Sequence, residues 1–335
     1  MPDPLLGRLA GLECEQALRV GVGLLLPGLC LVGIGRPELI IYAVFGSFAG
    51  MYARSASRSV RLVQQSQGAL LLLAGTAVGI LLSQAGARPA VVVASATVFA
   101  VAGSMLADFF ALRPEGPFYG VFALGAVAGV PASLVAPLEA WGIAAGSAAF
   151  ALLIGLTGPD VMPTSARAIA AAVRRERARA RPAAMLHAVR YAVAISFAGT
   201  IAILLGLGHA NWAIAGAAVT LAAADPRGRL WRGVHRLLGT VAGLALTAVI
   251  LAPELSARTS AFLVILLLFP TEMFMAVNYA VALSFFTPMI MLMTELAAPI
   301  GVSELLSTRA AGTLVGVLTG FAVTYLIRDR AAVEV

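Results

Sequence analysis

The sequence is poor in charge, since Asp, Glu, Lys and Arg make up only 12% of its 335 residues. Lysine is absent, so all 23 basic residues are arginine. A soluble globular domain carries about 25% charged residues, and hydrophobic residues here reach 60%. The composition therefore excludes an ordinary soluble domain and predicts a protein embedded in a lipid bilayer.

Residues and motifs that support common catalytic chemistry are also scarce. Cys14 and Cys30 are the only cysteines, too few for a disulfide framework or a cysteine-rich metal site. The chain has no Walker A run, no GxSxG serine elbow, no HExxH motif and no aspartate-rich pair. We therefore expect no enzyme activity, no metal and no cofactor.

Long apolar runs such as "GALLLLAGTAVGILLSQAG" approach the roughly 20 residues that cross a hydrocarbon core of about 30 Å. Because lipid offers no partner to backbone amides, such runs must be helical, and they lack the alternation of a membrane barrel. We expect an all-α integral membrane protein with about twelve transmembrane helices in two six-helix repeats. The predicted spans start near Gln16, Pro37, Gly68, Pro89, Gly116, Leu138, His187, Asn211, Val234, Ala257, Val277 and Glu304.

The arginines orient these spans. With the N-terminus inside, only Arg36, Arg88, Arg258 and Arg309 fall on the outer side, and all the others fall on the cytoplasmic side. The positive-inside rule favours this topology, with both termini cytoplasmic. It also explains the net charge of +7 without a nucleic-acid partner.

The two halves of the chain share a register. A shift of 171 residues brings Arg19 onto Arg190 and Pro117 onto Pro288, and six spans separate the copies. We predict a first membrane repeat at 1–157, an Arg-rich cytoplasmic linker at 158–186 and a second membrane repeat at 187–335. Either a monomer with pseudo-dimeric halves or a homo-oligomer fits this pattern.

The linker contains five arginines shortly before Pro182, in "RRERARARP". It is predicted to be a cytoplasmic helix. Each arginine near an anionic leaflet contributes about 1 kcal/mol, so anionic lipids are its expected partner.

A motif R-x-x-G-T-x-x-G occurs twice, as "RLLGTVAG" from Arg236 and as "RAAGTLVG" from Arg309. On a helix its four positions share one face, which carries Thr240 in the first copy and Thr313 in the second. The glycine pairs are typical of close helix packing, and that interpretation suffices for Arg236 as an anchor at the inner mouth. The alternative is an anion cavity, because a guanidinium fork matches a carboxylate.

Arg309 lies about a turn and a half inside the last span, on the side where arginines are scarce. An arginine in the hydrocarbon costs roughly 2.5 to 3.5 kcal/mol on insertion scales. Intramembrane charges usually face an aqueous path, so we expect Arg309 to line one.

The segment "PTEMFMAVNYAVALSFFTPMIMLM" adds further polar candidates in or beside a span. Thr287-Pro288 is expected to break the helix and free carbonyls for a site, although a structural kink remains open. The other candidates are Glu272, Asn278 and Tyr279. Trp212, in "GHANWAIAG", is expected at a membrane boundary as an interfacial anchor.

Residues 187–327 resemble the fusaric acid resistance-like, or aromatic acid exporter, family. The resemblance rests on Arg190 in "AVRYAVA", Trp212 after "GHAN", the run "RGVHRLLGTVAG", the spacing E-x5-NY, "FFTPMIMLM" and "RAAGTLVG". It implies an inner-membrane transporter that exports aromatic or other organic acids, using an ion gradient. Plant malate channels are distantly similar, so an organic-anion channel stays open, as does a membrane scaffold without transport.

Under the transporter hypothesis, Arg19, Arg190 and Arg236 raise the anion concentration at the inner mouth. Arg309 and the broken helix at Pro288 receive the carboxylate. Tyr279 or Trp212 then offers an aromatic face to the substrate. Glu272 is the candidate proton carrier, and a cytoplasmic ion pair with a nearby arginine is the alternative.

Overall fold

A computed structural model describes the backbone of residues 4–53, 56–158, 166–222, 226–275 and 277–327. Side chains are described for 14–53, 56–158, 184–222, 228–275 and 277–327. These residues form α-helices and short 3-10 turns, and none of them lies in a β-strand. The all-helical prediction is confirmed over this part of the chain.

Six helices precede the linker, and six include or follow it. The helices are α1 (Pro4–Gly33), α2 (Ile40–Ser47, flanked by 3-10 turns Pro37–Leu39 and Phe48–Met51), α3 (Arg58–Gln84), α4 (Pro89–Phe110), α5 (Phe118–Ala128), α6 (Pro137–Leu156), α7 (Ala166–Leu204), α8 (Asn211–Leu221), α9 (Pro226–Leu251), α10 (Ala257–Met275), α11 (Tyr279–Ala297) and α12 (Val302–Leu326).

Three of the predicted spans are shorter than expected. Nine helices in the described residues are long and apolar enough to cross a membrane, whereas 37–51, 118–128 and 211–221 are shorter apolar helices. An 11-residue helix such as α5 or α8 is about 16 Å long, half of a hydrocarbon core. Nine of the described helices are therefore candidate spans by length and composition, and the arrangement of twelve spans in two six-helix repeats remains a prediction.

The short helices are tolerated because protein surrounds them. Every residue of α2 is buried, as are most residues of α5 and α8. Helix ends at membrane depth leave backbone groups without partners, which is acceptable only inside protein or beside a cavity. Since α5 contacts both α2 and α8, the three short helices mark the centre of the bundle.

The pairing of helices recurs after six helices. In the first half α3 packs on α5 and α6, and α2 packs on α6; in the second, α9 packs on α11 and α12, and α8 packs on α12. Contacts between the halves recur too, since α1 packs on α10 and α7 on α4. The boundaries 1–157, 158–186 and 187–335 remain a prediction.

The linker is part of a longer helix. From Ala166 onward it forms the start of α7, which continues without a break through Pro182 to Leu204. Residues 159–165 and the side chains of the five clustered arginines lie outside the described residues, so contact with anionic lipid remains a prediction.

The glycines of both R-x-x-G-T-x-x-G motifs bring helices into close contact. A Cβ placed on Gly243 of α9 would lie 2.6 Å from the Thr287 Cβ of α11. A Cβ placed on Gly312 of α12 would lie 2.6 Å from the Trp212 Cβ of α8. These separations are too short for an ordinary contact, so each seam requires glycine.

We expect Gly243→Ala to lower the thermal unfolding midpoint of the detergent-purified protein. Overpacking a tight contact costs about 1 to 3 kcal/mol. Gly142→Ala in α6 is the matched control, because nothing lies within 4 Å of a Cβ placed there. Equal unfolding midpoints for the two variants would contradict the close seam.

Candidate functional site

The two arginines of the repeated motif lie deep inside the bundle. Arg236 follows the start of α9 by ten residues, and Arg309 follows the start of α12 by seven, which places them about 15 Å and 10 Å along their helices. Their exposed fractions are 1% and 0%, and α9 packs against α12. Both arginines are therefore enclosed by protein, and the intramembrane position of Arg309 and the inner anchor role of Arg236 remain predictions.

Neither guanidinium group has a hydrogen-bond partner among the described residues. In the described part of the chain, Nε, Nη1 and Nη2 of both Arg236 and Arg309 are buried without a hydrogen-bond partner. The two groups lie close enough for their like charges to repel each other. Burying unpaired charges costs several kcal/mol per ion, so the protein sustains here an excess of positive charge that suits an anionic ligand.

Other buried arginines have carbonyl partners. Arg61 donates from Nε to the Gly155 carbonyl oxygen at 2.7 Å and from Nη2 to that of Gly158 at 3.2 Å. Arg190 donates from Nε and Nη2 to the Ile327 carbonyl oxygen at 3.0 and 2.7 Å. The fold therefore satisfies buried guanidinium groups elsewhere, and Arg236 and Arg309 differ from them.

Two arginines predicted at the inner mouth, Arg19 and Arg190, make contacts with the ends of helices. Arg190 caps the end of α12, and Arg19 lies 3.8 Å from Glu15 with its Nη1 close to Gly158 at the end of α6. Neither residue lines the large cavity described below. Their attraction of anions remains a prediction, and their observed contacts are structural.

Aromatic rings cover the two unpaired guanidinium groups. The Arg309 Cζ lies 4.5 Å from the centre of the Trp212 ring, and the Arg236 Cζ lies 5.9 Å from that of Phe118. Both distances are in the range of cation–π attraction. Trp212 is fully buried, so its ring packs inside the protein, and its expected place at a membrane boundary remains a prediction.

The same rings join the two arginines. Phe118 is stacked on Phe122 with ring centres 5.7 Å apart, and Phe122 lies 6.2 Å from Trp212. The order Arg236, Phe118, Phe122, Trp212, Arg309 is thus a continuous series of contacts. It links α9 to α12 through α5 and α8.

Three threonine hydroxyls on or against the motif helices lack the usual partner. Threonines in these helices commonly donate to the carbonyl four residues earlier, as Thr220 does to Gly216 at 2.9 Å. The hydroxyls of Thr240, Thr287 and Thr313 are buried, and within the described residues they have no such partner. Each lies on a motif helix or faces one, since Thr287 abuts Gly243 of α9.

A cavity of about 380 Å³ adjoins Arg236. Its wall is formed partly by Phe118 and Tyr119 of α5 and by Phe286 of α11. Pockets for small molecules commonly measure about 300 to 1,000 Å³ and combine apolar walls with a few polar groups. The cavity therefore suits an organic molecule with an anionic head on Arg236 and an apolar body on the rings.

Two more predicted residues line this cavity. Tyr279 lies at its edge, with the Arg232 Cζ 5.5 Å from the ring centre. Glu272 also lines it from the last turns of α10 and is 1% exposed. Proton carriage by Glu272 remains a prediction.

The expected break at Pro288 is wrong, since α11 runs from Tyr279 to Ala297 with Pro288 inside it. Packing against both α9 and α10 holds the helix together across the missing amide donor. Asn278 begins this helix, where its Oδ1 accepts from the backbone N–H of Ala280 at 3.1 Å and of Val281 at 3.2 Å. The structure thus gives Asn278 a capping contact and no place among the cavity's lining residues.

Beyond Trp212, the loop before α8 carries His209, whose ring centre lies 6.3 Å from that of Trp212. Burial lowers the pKa of His209, and Glu304 and Glu295 oppose this only in part. Because the ordinary value is about 6.5, the imidazole is neutral at pH 7. It therefore adds no third positive charge beside Arg309.

The aromatic wall of the cavity was not among the residues expected from the sequence. Phe118 and Tyr119 stand in "GPFYG", and Phe286 stands in "FFTP". The available signal is aromatic residues beside glycine or proline in or next to a predicted span. That signal does not distinguish a cavity wall from ordinary core packing.

The second half of the chain is similar to a known family. Residues 191–323 match the family model described as fusaric acid resistance protein-like. No curated protein and no solved structure matches the chain. This match supports the family that the motifs indicated, and the matched residues include Arg236, Arg309, Trp212 and the three threonines.

We expect Asn278→Ala to lower the stability of the protein by about 1 kcal/mol, because the first N–H groups of α11 lose their acceptor. Asn278→Asp keeps an acceptor and should restore most of the unfolding midpoint. Anion flux per folded protein should be unchanged in both variants. A loss of flux in Asn278→Ala at equal folded yield would show that Asn278 also belongs to the transport path.

Proposed function

We propose that this protein is a non-enzymatic inner-membrane transporter that exports aromatic or other organic acid anions. The observation that carries the proposal is the pair of buried guanidinium groups, Arg236 and Arg309, with no partner among the described residues. A protein that spends several kcal/mol on burying such charges recovers that cost when an anion binds. The family of residues 191–323 supports a transporter-like membrane protein.

The shape of the cavity supports organic acids as the substrate class. A carboxylate accepts hydrogen bonds from the fork of a guanidinium, which Arg236 supplies at one wall. Phe118, Tyr119 and Phe286 offer an apolar surface beside it. The same site therefore accommodates both parts of an amphipathic acid.

Export is the proposed direction because the cavity lies toward the arginine-rich side. Arg113, Arg232 and Arg236 line it, and the positive-inside rule assigns that side to the cytoplasm. An anion from the cytoplasm would enter the cavity, bind Arg236 and move along the aromatic series toward Arg309. Glu272, in the same cavity, is the proposed proton carrier of a gradient-driven cycle.

One chain is proposed to enclose this path. Arg236 and Arg309 come from the second half, whereas Phe118 and Tyr119 come from α5 of the first half. Both halves therefore contribute to the same cavity. A homo-oligomer would then contain one path per chain.

Flux measurements test the proposal. In proteoliposomes loaded with labelled benzoate, we expect Arg236→Ala to reduce the flux about 10- to 100-fold, the loss expected for one charge-assisted hydrogen bond. Arg236→Lys keeps the charge without the bidentate fork, so its flux should lie between the fluxes of the unaltered protein and of Arg236→Ala. Arg88→Ala, at an exposed position before α4, is the matched control.

Full flux in Arg236→Ala would remove this arginine from the path, and no benzoate flux in the unaltered protein would overturn the assignment to aromatic acids. An imposed pH gradient separates the mechanisms. Flux that follows the gradient indicates proton coupling, whereas a current independent of it would indicate an organic-anion channel.

A further inference from the structure

The two arginines of the path differ in their surroundings. Arg236 lines the cavity of about 380 Å³, but Arg309, Trp212 and Thr313 are not among its lining residues. Arg309 is 0% exposed, as is Trp212, and Thr313 is 1% exposed. The groups around Arg309 are thus enclosed apart from the space that accepts an organic molecule.

Donors predominate around Arg309. Its guanidinium lies over the Trp212 ring at 4.5 Å, and the Trp212 Nε1–H and the Thr313 hydroxyl are buried without a partner in the part of the chain that is described. The guanidinium and the indole N–H can only donate, and a hydroxyl can donate as well. A ligand that satisfies all of them must accept hydrogen bonds, which is the property of an anion.

The close approach of the helices limits the size of that anion. Gly312 lets α12 approach so closely that a Cβ placed there would lie 2.6 Å from the Trp212 Cβ. The Trp212 ring covers one face of the guanidinium, and Phe122 lies 6.2 Å beyond that ring. An aromatic acid therefore has its place in the cavity, and only a compact ion suits the enclosed donors.

We propose that Arg309, Trp212 and Thr313 form a second anion site, which binds a compact monovalent inorganic anion such as a halide. This inference rests on the proposed function, because it assigns the second arginine of the same path. The organic acid binds at Arg236 in the cavity, and the inorganic anion binds at Arg309. A halide at Arg309 neutralises one of two like charges that repel each other, so it also stabilises the folded protein.

The protein offers a built-in reporter for this site. It has three tryptophans, and Trp141 and Trp231 are 39% and 61% exposed. In full-length protein carrying Trp141→Phe and Trp231→Phe, Trp212 is the only indole. Bromide and iodide quench indole fluorescence on contact, so a halide bound beside Trp212 is seen directly.

The experiment titrates this protein in detergent with sodium bromide, against sodium gluconate at constant ionic strength. We expect quenching that saturates, together with a bromide-dependent rise in the thermal unfolding midpoint. Arg309→Gln should abolish the saturation. Thr313→Val keeps the side-chain volume and removes the hydroxyl, so it should weaken the apparent affinity for bromide severalfold. This variant tests the site even if Arg309→Gln does not fold.

Arg236→Gln separates the two sites. It should keep saturable bromide quenching, with an apparent affinity changed much less than that of benzoate, whose binding should fall at least tenfold. Quenching that rises only linearly with bromide in the starting protein would overturn the second site. So would saturation that persists unchanged in Arg309→Gln.

Competition with benzoate distinguishes an inorganic anion from the carboxylate of an organic acid at the Arg309 site. If benzoate displaces bromide competitively in Arg236→Gln, the Arg309 site takes the carboxylate of the organic acid and the proposed inorganic anion is wrong. If bromide saturates as expected but benzoate flux is absent, the second site stands and the proposed transport of aromatic acids fails.

Discussion

An excess of buried positive charge dominates this structure. Arg236 and Arg309 lie near each other with no acceptor among the described residues, and the free-energy cost of such burial is several kcal/mol per ion. The surrounding features reduce that cost without cancelling it. Aromatic rings lie against both guanidinium groups, and three hydroxyls nearby have no partner within the described part of the chain. Unpaired buried guanidinium groups of this kind are the basis for the proposed anion ligand, and the surrounding helices hold them in place.

The two halves of the chain make different contributions to the site. The second half supplies both cations and the indole, while α5 of the first half supplies Phe118, Tyr119 and Phe122. In the first half the buried Arg61 donates to carbonyl oxygens, so it serves the end of α6. Helix pairing recurs in both halves, yet among the described residues the two buried guanidinium groups with no hydrogen-bond partner on any nitrogen both lie in the second half. Both unpaired cations thus come from the second half, whereas the aromatic rings beside them come from both halves.

Much of the membrane architecture follows from local properties of the sequence. Composition predicts helices in a bilayer, and the 3.6-residue period places Arg309 and Thr313 on one face of a helix. Both statements concern a single helix in lipid. The expected break at Pro288 failed because helix continuity there depends on neighbouring helices. The burial of Arg236 and Trp212 inside the protein depends on neighbouring helices in the same way. The depth of a residue along a helix can be counted from the first residue of that helix. The sequence of one helix does not tell whether a side chain contacts lipid, water or another helix.

The repeated motif shows which properties a single helix determines and which properties require several packed helices. The sequence by itself determined that an arginine, a threonine and two glycines share one helix face twice, because helical periodicity is a local property. Only the tertiary structure decided which arginines have partners. Arg190 meets the carbonyl of Ile327 across 137 residues, whereas Arg236 meets the ring of Phe118. Such contacts arise when distant helices pack, and a cavity exists only between helices. Their energies belong to pairs of segments, so no single segment specifies them.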